Sequence, residues 1–355
     1  MLKKFYANNF KCLNQLEAKS FQRCNLITGR NNVGKTTLLE ALFLHEGAHN
    51  AGLAFNLATV RGITSFDNRD FLVDLFTQFK SDKEILLAAE YEDNKRLTLK
   101  IRQDRSERAI PVGFGTSETR DNKNVSPRII FEGISEEKII SMSEVYLALD
   151  QKTGSIIPYS KGNSKMLRPV TVFVSTGFSK IDKSNLNVDR FSAQIERKRK
   201  QEIIDSLKLI DDKLINLELS RIGQLNFILG DVGFSKMVSI SMMGEGIEKY
   251  LTLVLSLLTA ENGILLIDEI ENGFHYSIHD KLWRNLVILA RKYNTQIIAT
   301  THSHEFVEAA HRSYKDDKEY DFTLHRIDMV GDRYDDVVYD KETLEASLND
   351  NLEIR

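Results

Sequence analysis

The segment Gly29-Arg30-Asn31-Asn32-Val33-Gly34-Lys35-Thr36 constrains this chain more than any other. It fits the pattern G-x-x-x-x-G-K-[ST] at each fixed position. The glycines permit a curled backbone whose successive N–H groups point at one anion. Before it stands a short apolar run, Cys24-Asn25-Leu26-Ile27-Thr28, which predicts a strand. After it, Leu38, Leu39, Leu42 and Phe43 recur at helical spacing, so a helix starts near Lys35 and adds its positive dipole end. Strand, glycine turn and helix in that order predict a phosphate cradle. Its candidate contacts are Gly29, Asn31, Asn32, Gly34, Lys35, Thr36 and Thr37, with Lys35 reaching the β- and γ-phosphates and the Thr36 hydroxyl placed for Mg²⁺.

An apolar strand ending in acids is the expected complement. Residues 263–268 supply it as Ile264-Leu265-Leu266-Ile267 followed by Asp268 and Glu269. Asp268 is the candidate Mg²⁺ ligand, directly or through water, and Glu269 the candidate base for the attacking water. Hydrolysis of a phosphoanhydride needs charge neutralisation and a positioned nucleophile rather than covalent help. A further apolar strand at 296–300 leads into Thr301-His302-Ser303. Strand ends form the ligand rim of open α/β sheets, so His302 is a candidate γ-phosphate sensor.

The remainder sets bounds. The 355 residues are 42% hydrophobic and 28% charged, a balance that builds a core. The formal charge of −3, from 48 basic and 51 acidic residues, argues against coating nucleic acid by bulk attraction. A local basic patch stays compatible with it. The longest apolar run, at 250–260, is broken by Thr252 and Ser256 and falls short of the ~20 residues that span a bilayer. With no signal-like start, a cytoplasmic location without membrane partners is expected. Cys12 and Cys24 read as two reduced thiols.

Strands are expected at 2–8, 13–19, 85–91, 96–101, 128–132, 144–149 and 170–175, and a polar loop at 105–126. Residues 191–219 read as one charged helix, with Ile203, Ile204, Leu207, Ile210, Leu214 and Leu217 in helical period behind the run Glu196-Arg197-Lys198-Arg199-Lys200. It is expected to be an amphipathic helix packed on the phosphate-binding lobe; the competing reading is an arm for a partner or nucleic acid. Helices are also expected at 246–258 and 277–293. Alternating apolar strands and helices imply a parallel sheet covered on both faces. The end, with strands at 323–328 and 335–339 and a helix at 341–349, reads as a small cap.

Four features together resemble one family. They are Asn31 within G-x-N-x-x-G-K-T, the run Ser241-Met242-Met243-Gly244-Glu245-Gly246 before a helix, the run Glu269-Ile270-Glu271-Asn272-Gly273-Phe274-His275, and Thr300-Thr301-His302-Ser303. The chain resembles the ABC-class ATPases of the SMC/RecF/OLD branch, most closely the OLD-type ATPases of bacterial and phage-defence systems. The close match covers 1–50 and 239–355; residues 51–238 match only in layout. The resemblance implies an α/β fold: a P-loop ABC-type ATPase head from 1–50 and 239–355, with an N-terminal mixed β lobe and a β and helical insertion at 51–238.

The resemblance also implies ATP and Mg²⁺ as cofactors and Glu269, His302 and Lys35 as the catalytic set. Ser241, Gly244, Glu245 and Gly246 fall on the signature that contacts a nucleotide held by a second copy. Asn272, Gly273 and His275 fall on the loop that crosses the dimer interface. A glycine turn opening a helix, donated by the second copy, would close the open side of the nucleotide with backbone N–H groups. The partners implied are the chain itself, as an ATP-dependent homodimer or higher oligomer, and a separately encoded effector such as a TOPRIM-like nuclease or toxin. The TOPRIM half common in OLD proteins is expected to be absent, since only about fifty residues follow His304 and Asp335-Asp336 stand isolated. There are departures. Met242, Met243 and Glu245 differ from transporter ATPases, and the Mg²⁺-sensing glutamine has only Gln78 as a candidate. A RecF-like ATPase that clamps DNA is the alternative function. A transporter's nucleotide-binding subunit is disfavoured by the signature and the long middle region.

Overall fold

The computed structural model describes residues 1–48, 50–61, 71–104, 128–149, 156–164, 169–175, 180–223, 225–315, 317–331, 333–350 and 352–354. The loop expected at 105–126 lies outside the described residues. In chain order the elements begin β1 (Leu2–Phe10), β2 (Leu13–Ala18), β3 (Cys24–Thr28), α1 (Lys35–Glu46), α2 (Leu53–Val60), β4 (Ile85–Tyr91), β5 (Arg96–Asp104) and β6 (Arg128–Ser135). They continue with β7 (Lys138–Leu149), β8 (Ile156–Ser164), β9 (Thr171–Val174), α3 (Lys180–Glu196), α4 (Lys200–Leu207), β10 (Asn216–Ile222), β11 (Leu225–Asp231) and β12 (Val238–Ser239). The last are α5 (Glu245–Thr259), β13 (Ile264–Ile267), α6 (His279–Lys292), β14 (Gln296–Thr300), α7 (His304–Ser313), β15 (Phe322–Val330), β16 (Arg333–Tyr339) and α8 (Lys341–Asn349).

The chain divides into two compact units. The first comprises Met1–Phe21, Gly29–Arg168 and Ile327–Val338. Its strands run antiparallel in the order β8-β7-β6-β5-β4-β1-β2, and β16 joins β2 in parallel with Tyr334 opposite Leu16. Helix α1 packs on β1 and β4 and is buried on almost every side, polar residues included. Such groups need partners, and they have them. Glu40 accepts from Lys11 at 2.8 Å and from Arg61 at 2.7 and 3.0 Å, and the Glu46 carboxylate accepts from the Tyr91 hydroxyl. Burial pushes the Lys11 ammonium below its ordinary range, with Glu40 opposing the shift.

The second unit comprises Gln22–Thr28, Pro169–Arg326 and Tyr339–Arg355. Its strands β3, β14, β13 and β9 pair in parallel, and β15 pairs in parallel with the other side of β3. Every residue of β3, β13 and β14 is buried, as a sheet covered on both faces requires. Helix α5 packs against α3, α4 and β9, and α6 against α7. The Trp283 ring meets Phe306 and Phe322 edge-on at 5.7 and 5.8 Å. Strands β10, β11 and β12 form a separate antiparallel sheet. Among the described residues no helix is long and apolar enough to cross a membrane.

Two expectations are corrected. Residues 191–219 are not one helix: α3 stops at Glu196, the chain reverses through Lys198 at φ 59°, α4 runs to Leu207, and 216–222 is a strand. Leu217 is buried on β10 opposite Gly230 of β11. Its spacing fits a helical period only by coincidence. The basic run is spent locally, with Arg197 and Arg199 on Glu261 at 3.1 and 2.9 Å and Lys200 on Glu218 at 2.7 Å. The C-terminal part is also more than a cap, because β15 is a full member of the parallel sheet, with Phe322 opposite Cys24.

Candidate functional site

The phosphate loop leaves β3 at Thr28 and belongs to the first unit from Gly29 onward. Gly29 has φ 135°, and a Cβ there would sit 2.4 Å from the backbone oxygen of Ile327. No side chain fits. Gly34, at φ 92°, caps α1, and Asn32 is also left-handed at φ 61°. Leu38 N–H returns to the Gly34 carbonyl at 2.8 Å, closing the first helical turn. No acidic residue occupies that turn, so nothing local offsets the positive helix end. Lys35 is buried, and its Nζ donates to the carbonyls of Gly29 and Arg30 at 2.7 and 2.9 Å. It thereby holds the curl of its own loop. Asn31 and Asn32 are exposed, Thr36 is half-buried, and Thr37 is buried with its hydroxyl 3.4 Å from Cys12 Sγ.

In the second unit the strand ends gather the acids. Asp268 follows β13 and is buried. Its N–H donates to Val174 at 2.9 Å, and its Oδ1 accepts from the Thr300 hydroxyl at 2.7 Å. The same hydroxyl accepts the Glu269 N–H at 2.8 Å. Glu269 takes the left-handed conformation, φ 49°, which is costly for a residue with a Cβ and collects at functional sites. Asn272 Nδ2 donates to its carboxylate. The Ile270 N–H donates to the Thr300 carbonyl at 3.0 Å, and Glu271 Oε1 accepts the His302 N–H at 2.7 Å. One network therefore joins Asp268, Glu269, Asn272 and Thr300, and a separate bond ties the His302 backbone to Glu271. The His302 side chain is exposed.

The signature segment lies in this unit too. Gly244, at φ 121°, precedes α5, and nothing lies within 4 Å of where its Cβ would be. Ser241, Gly244 and Glu245 are exposed; the Ser241 hydroxyl is 2.9 Å from that of Ser239. A Cβ on Gly246 would lie 3.2 Å from the Gly273 carbonyl oxygen, so the helix start packs directly on the loop after β13. His275 Nδ1 pairs with the Ser277 hydroxyl at 2.9 Å, and its ring lies tilted against Tyr276, centroids 4.3 Å apart. Behind that loop, burial pushes the His279 ring below the ordinary histidine range.

Sequence reasoning missed three residues here: Thr300, Glu271 and Lys249. The motif Thr300-Thr301-His302-Ser303 contains the first without marking its hydroxyl. The hydrogen bond from Asp268 to Val174 sets the end of β9 beside the acids. Gln78 sits in the first unit, exposed, accepting from Lys80 at 2.6 Å.

The donors named for Mg²⁺, the Thr36 hydroxyl and the Asp268 carboxylate, are hard oxygens of the type this ion takes. Among the described residues no group of three or more His, Cys, Asp or Glu could hold a metal alone.

Residues 24–308 match the family model described as "AAA domain, putative AbiEii toxin, Type IV TA system". An ATP/GTP phosphatase of Helicobacter pylori (strain ATCC 700392 / 26695) is 24% identical over 327 residues, 87% of each chain. Among solved structures, an SMC head bound to the C-terminal winged-helix domain of ScpA aligns with TM-score 0.51 at 12% identity, over 97% of this chain and 99% of that one. That likeness is one of fold, a mixed α/β head of the P-loop ABC type.

Proposed function

The chain belongs to this AAA-domain family of ATPases, and from that premise we propose an ATP-hydrolysing switch that dimerises around its nucleotide and controls a separately encoded effector in anti-phage defence. The observation that carries the reading is the state of Glu269. A carboxylate at the end of an apolar parallel strand is kept in a left-handed turn by hydrogen bonds on both sides, as a positioned base requires. Its Thr300 anchor also holds Asp268.

In this reading residues 1–50 and 239–355 act as the head and 51–238 as its insertion. Backbone N–H groups of the phosphate loop and the Lys35 ammonium bind the β- and γ-phosphates. Thr36 and Asp268 hold Mg²⁺, which when bound neutralises phosphate charge. Glu269 takes a proton from the attacking water, and His302 donates to the γ-phosphate oxygens. Exposure of Ser241, Gly244 and Glu245 beside Met242, 80% exposed, supports engagement by a second copy. The family's description as a type IV toxin–antitoxin component supports a role alongside another protein. A DNA-clamping role has less support, because Arg197, Arg199 and Lys200 already face Glu261 and Glu218.

Glu269→Gln tests this. The variant should bind ATP, lose turnover and accumulate as a nucleotide-bound dimer in light scattering, whereas Lys35→Ala loses nucleotide. Normal turnover in Glu269→Gln sinks the assignment of the base. Altering Ser241 and Gly244 together should leave binding but remove turnover, and mixing with the Lys35 variant should partly restore it.

A further inference from the structure

Lys249 lies one turn into α5, four residues after Glu245, and is half-buried. Its Nζ donates to the Glu269 carbonyl at 3.0 Å and to the Asn272 carbonyl, and stands 5.3 Å from the Phe274 ring centre. The loop it grips lies against the start of its own helix. Gly273, at φ 80°, faces Lys249 Cδ and Glu245 Cγ at 3.5 and 3.6 Å from its Cβ position. Glu269 is therefore held through both of its backbone polar groups: Thr300 takes its N–H and Lys249 donates to its carbonyl. Thr300 belongs to the rigid sheet. Lys249 belongs to the helix whose first turn carries Glu245 and Gly246.

We propose that Lys249 is a positioning residue that makes the aim of the Glu269 carboxylate depend on where the first turn of α5 sits. The proposal rests on the ATPase reading above and adds a control to it. An ammonium bridging two carbonyl oxygens forms charge-assisted bonds that fix the 269–272 loop to the helix. When the signature turn is drawn onto a nucleotide held by a second copy, α5 carries Lys249 with it. The Glu269 carbonyl follows, and the carboxylate on the same strained residue is re-aimed. Hydrolysis is then gated by engagement of the signature rather than by nucleotide binding alone.

The test compares full-length Lys249→Met and Lys249→Arg with wild type and Glu269→Gln. Methionine keeps the stem's length and apolar packing but donates nothing. Lys249→Met should bind a fluorescent ATP analogue within about twofold of wild type and melt near the wild-type temperature. Its kcat should fall about tenfold to a hundredfold with KM unchanged, the scale of an ångström-sized misplacement. Lys249→Arg, which can span both carbonyls, should recover most of that loss. Wild-type kcat in Lys249→Met, where Glu269→Gln is dead, overturns the proposal and leaves the ATPase reading standing. A loss that arginine does not rescue and that tracks a lowered melting temperature also overturns it, as a purely structural role. Absence of turnover in wild type fails both readings.

Discussion

Thr300→Val isolates the junction on which both acids depend. Thr300 is 1% exposed, and its hydroxyl accepts from Glu269 N–H at 2.8 Å and donates to Asp268 Oδ1 at 2.7 Å. Valine has the same shape and neither bond. Losing a hydrogen bond to a carboxylate costs about 1.5–3 kcal/mol, and stranding a buried N–H about 1–3 kcal/mol. The extra methyl returns roughly 0.8 kcal/mol. Because Glu269 is only half-buried, the N–H contribution falls at its lower end, and the net loss should be roughly 2–3 kcal/mol. Urea unfolding followed by far-UV circular dichroism measures it, with Thr300→Ser as control. Serine keeps both bonds and loses one methyl, about 1 kcal/mol. Turnover should fall in the valine variant and persist in the serine one, since only valine frees the Glu269 peptide. Equal stability and turnover in the two variants would refute the account of the junction.

Three further outcomes can be measured directly. Gly29→Ala forces a Cβ to 2.4 Å from a backbone oxygen at φ 135° and should weaken ATP binding at least about fivefold through strain of about 1–3 kcal/mol; Gly331→Ala, at φ 64° with open space around it, should leave binding unchanged in the same titration. Arg291, 2.5 Å from Asp317, holds that carboxyl below its ordinary range, so its folded pKa lies below the unfolded one. The stability this contributes is present at neutral pH and lost as pH falls past ~4, so the gap in urea midpoint between wild type and Asp317→Asn should close on acidification. A disulfide-exchange reagent should titrate one thiol quickly in the native protein and two in urea, because Cys12 is exposed, whereas Cys24 is fully buried and burial pushes its thiol up to about 12.

What could be read from the sequence was whatever short-range pattern determines. β3, the glycine loop and α1 stand where residues 24–46 place them, because an apolar run, two glycines and a helical period are local signals. The same holds for β13, β14 and α8. The stretch 191–219 failed because Leu214 and Leu217 satisfy a helical period and a strand equally well. The deciding contacts, Leu217 opposite Gly230 and Lys200 with Glu218, come from partners the window did not contain. The site divides in the same way. Asp268, Glu269 and His302 are marked by their strand ends, but Thr300 and Lys249 act through hydrogen bonds to residues 31 and 20 positions away. Nothing in residue type distinguishes Lys249 from any other lysine on a helix.

The two helix starts proposed to meet a nucleotide are oppositely equipped, and this predicts how they share the work. The first turn of α1 carries no acid, whereas that of α5 carries Glu245 and Glu248. Each carboxylate near a helix N-terminus complements the dipole by about 0.3–1 kcal/mol and opposes an arriving phosphate by a similar amount. The Glu245 side chain folds over Gly273, its Cγ 3.6 Å from the Cβ position there. On this footing α1 binds phosphate unaided, while α5 closes only on a nucleotide already held elsewhere. Glu248→Gln removes one opposing charge without touching the Lys249 contacts. In a Glu269→Gln background it should tighten ATP-dependent self-association about two- to fivefold at low salt, as read by sedimentation velocity. The gain should vanish near 1 M salt, where screening acts within ~3 Å. Weaker association, or a gain that salt does not remove, would mean that the charge at the start of α5 does not face the nucleotide.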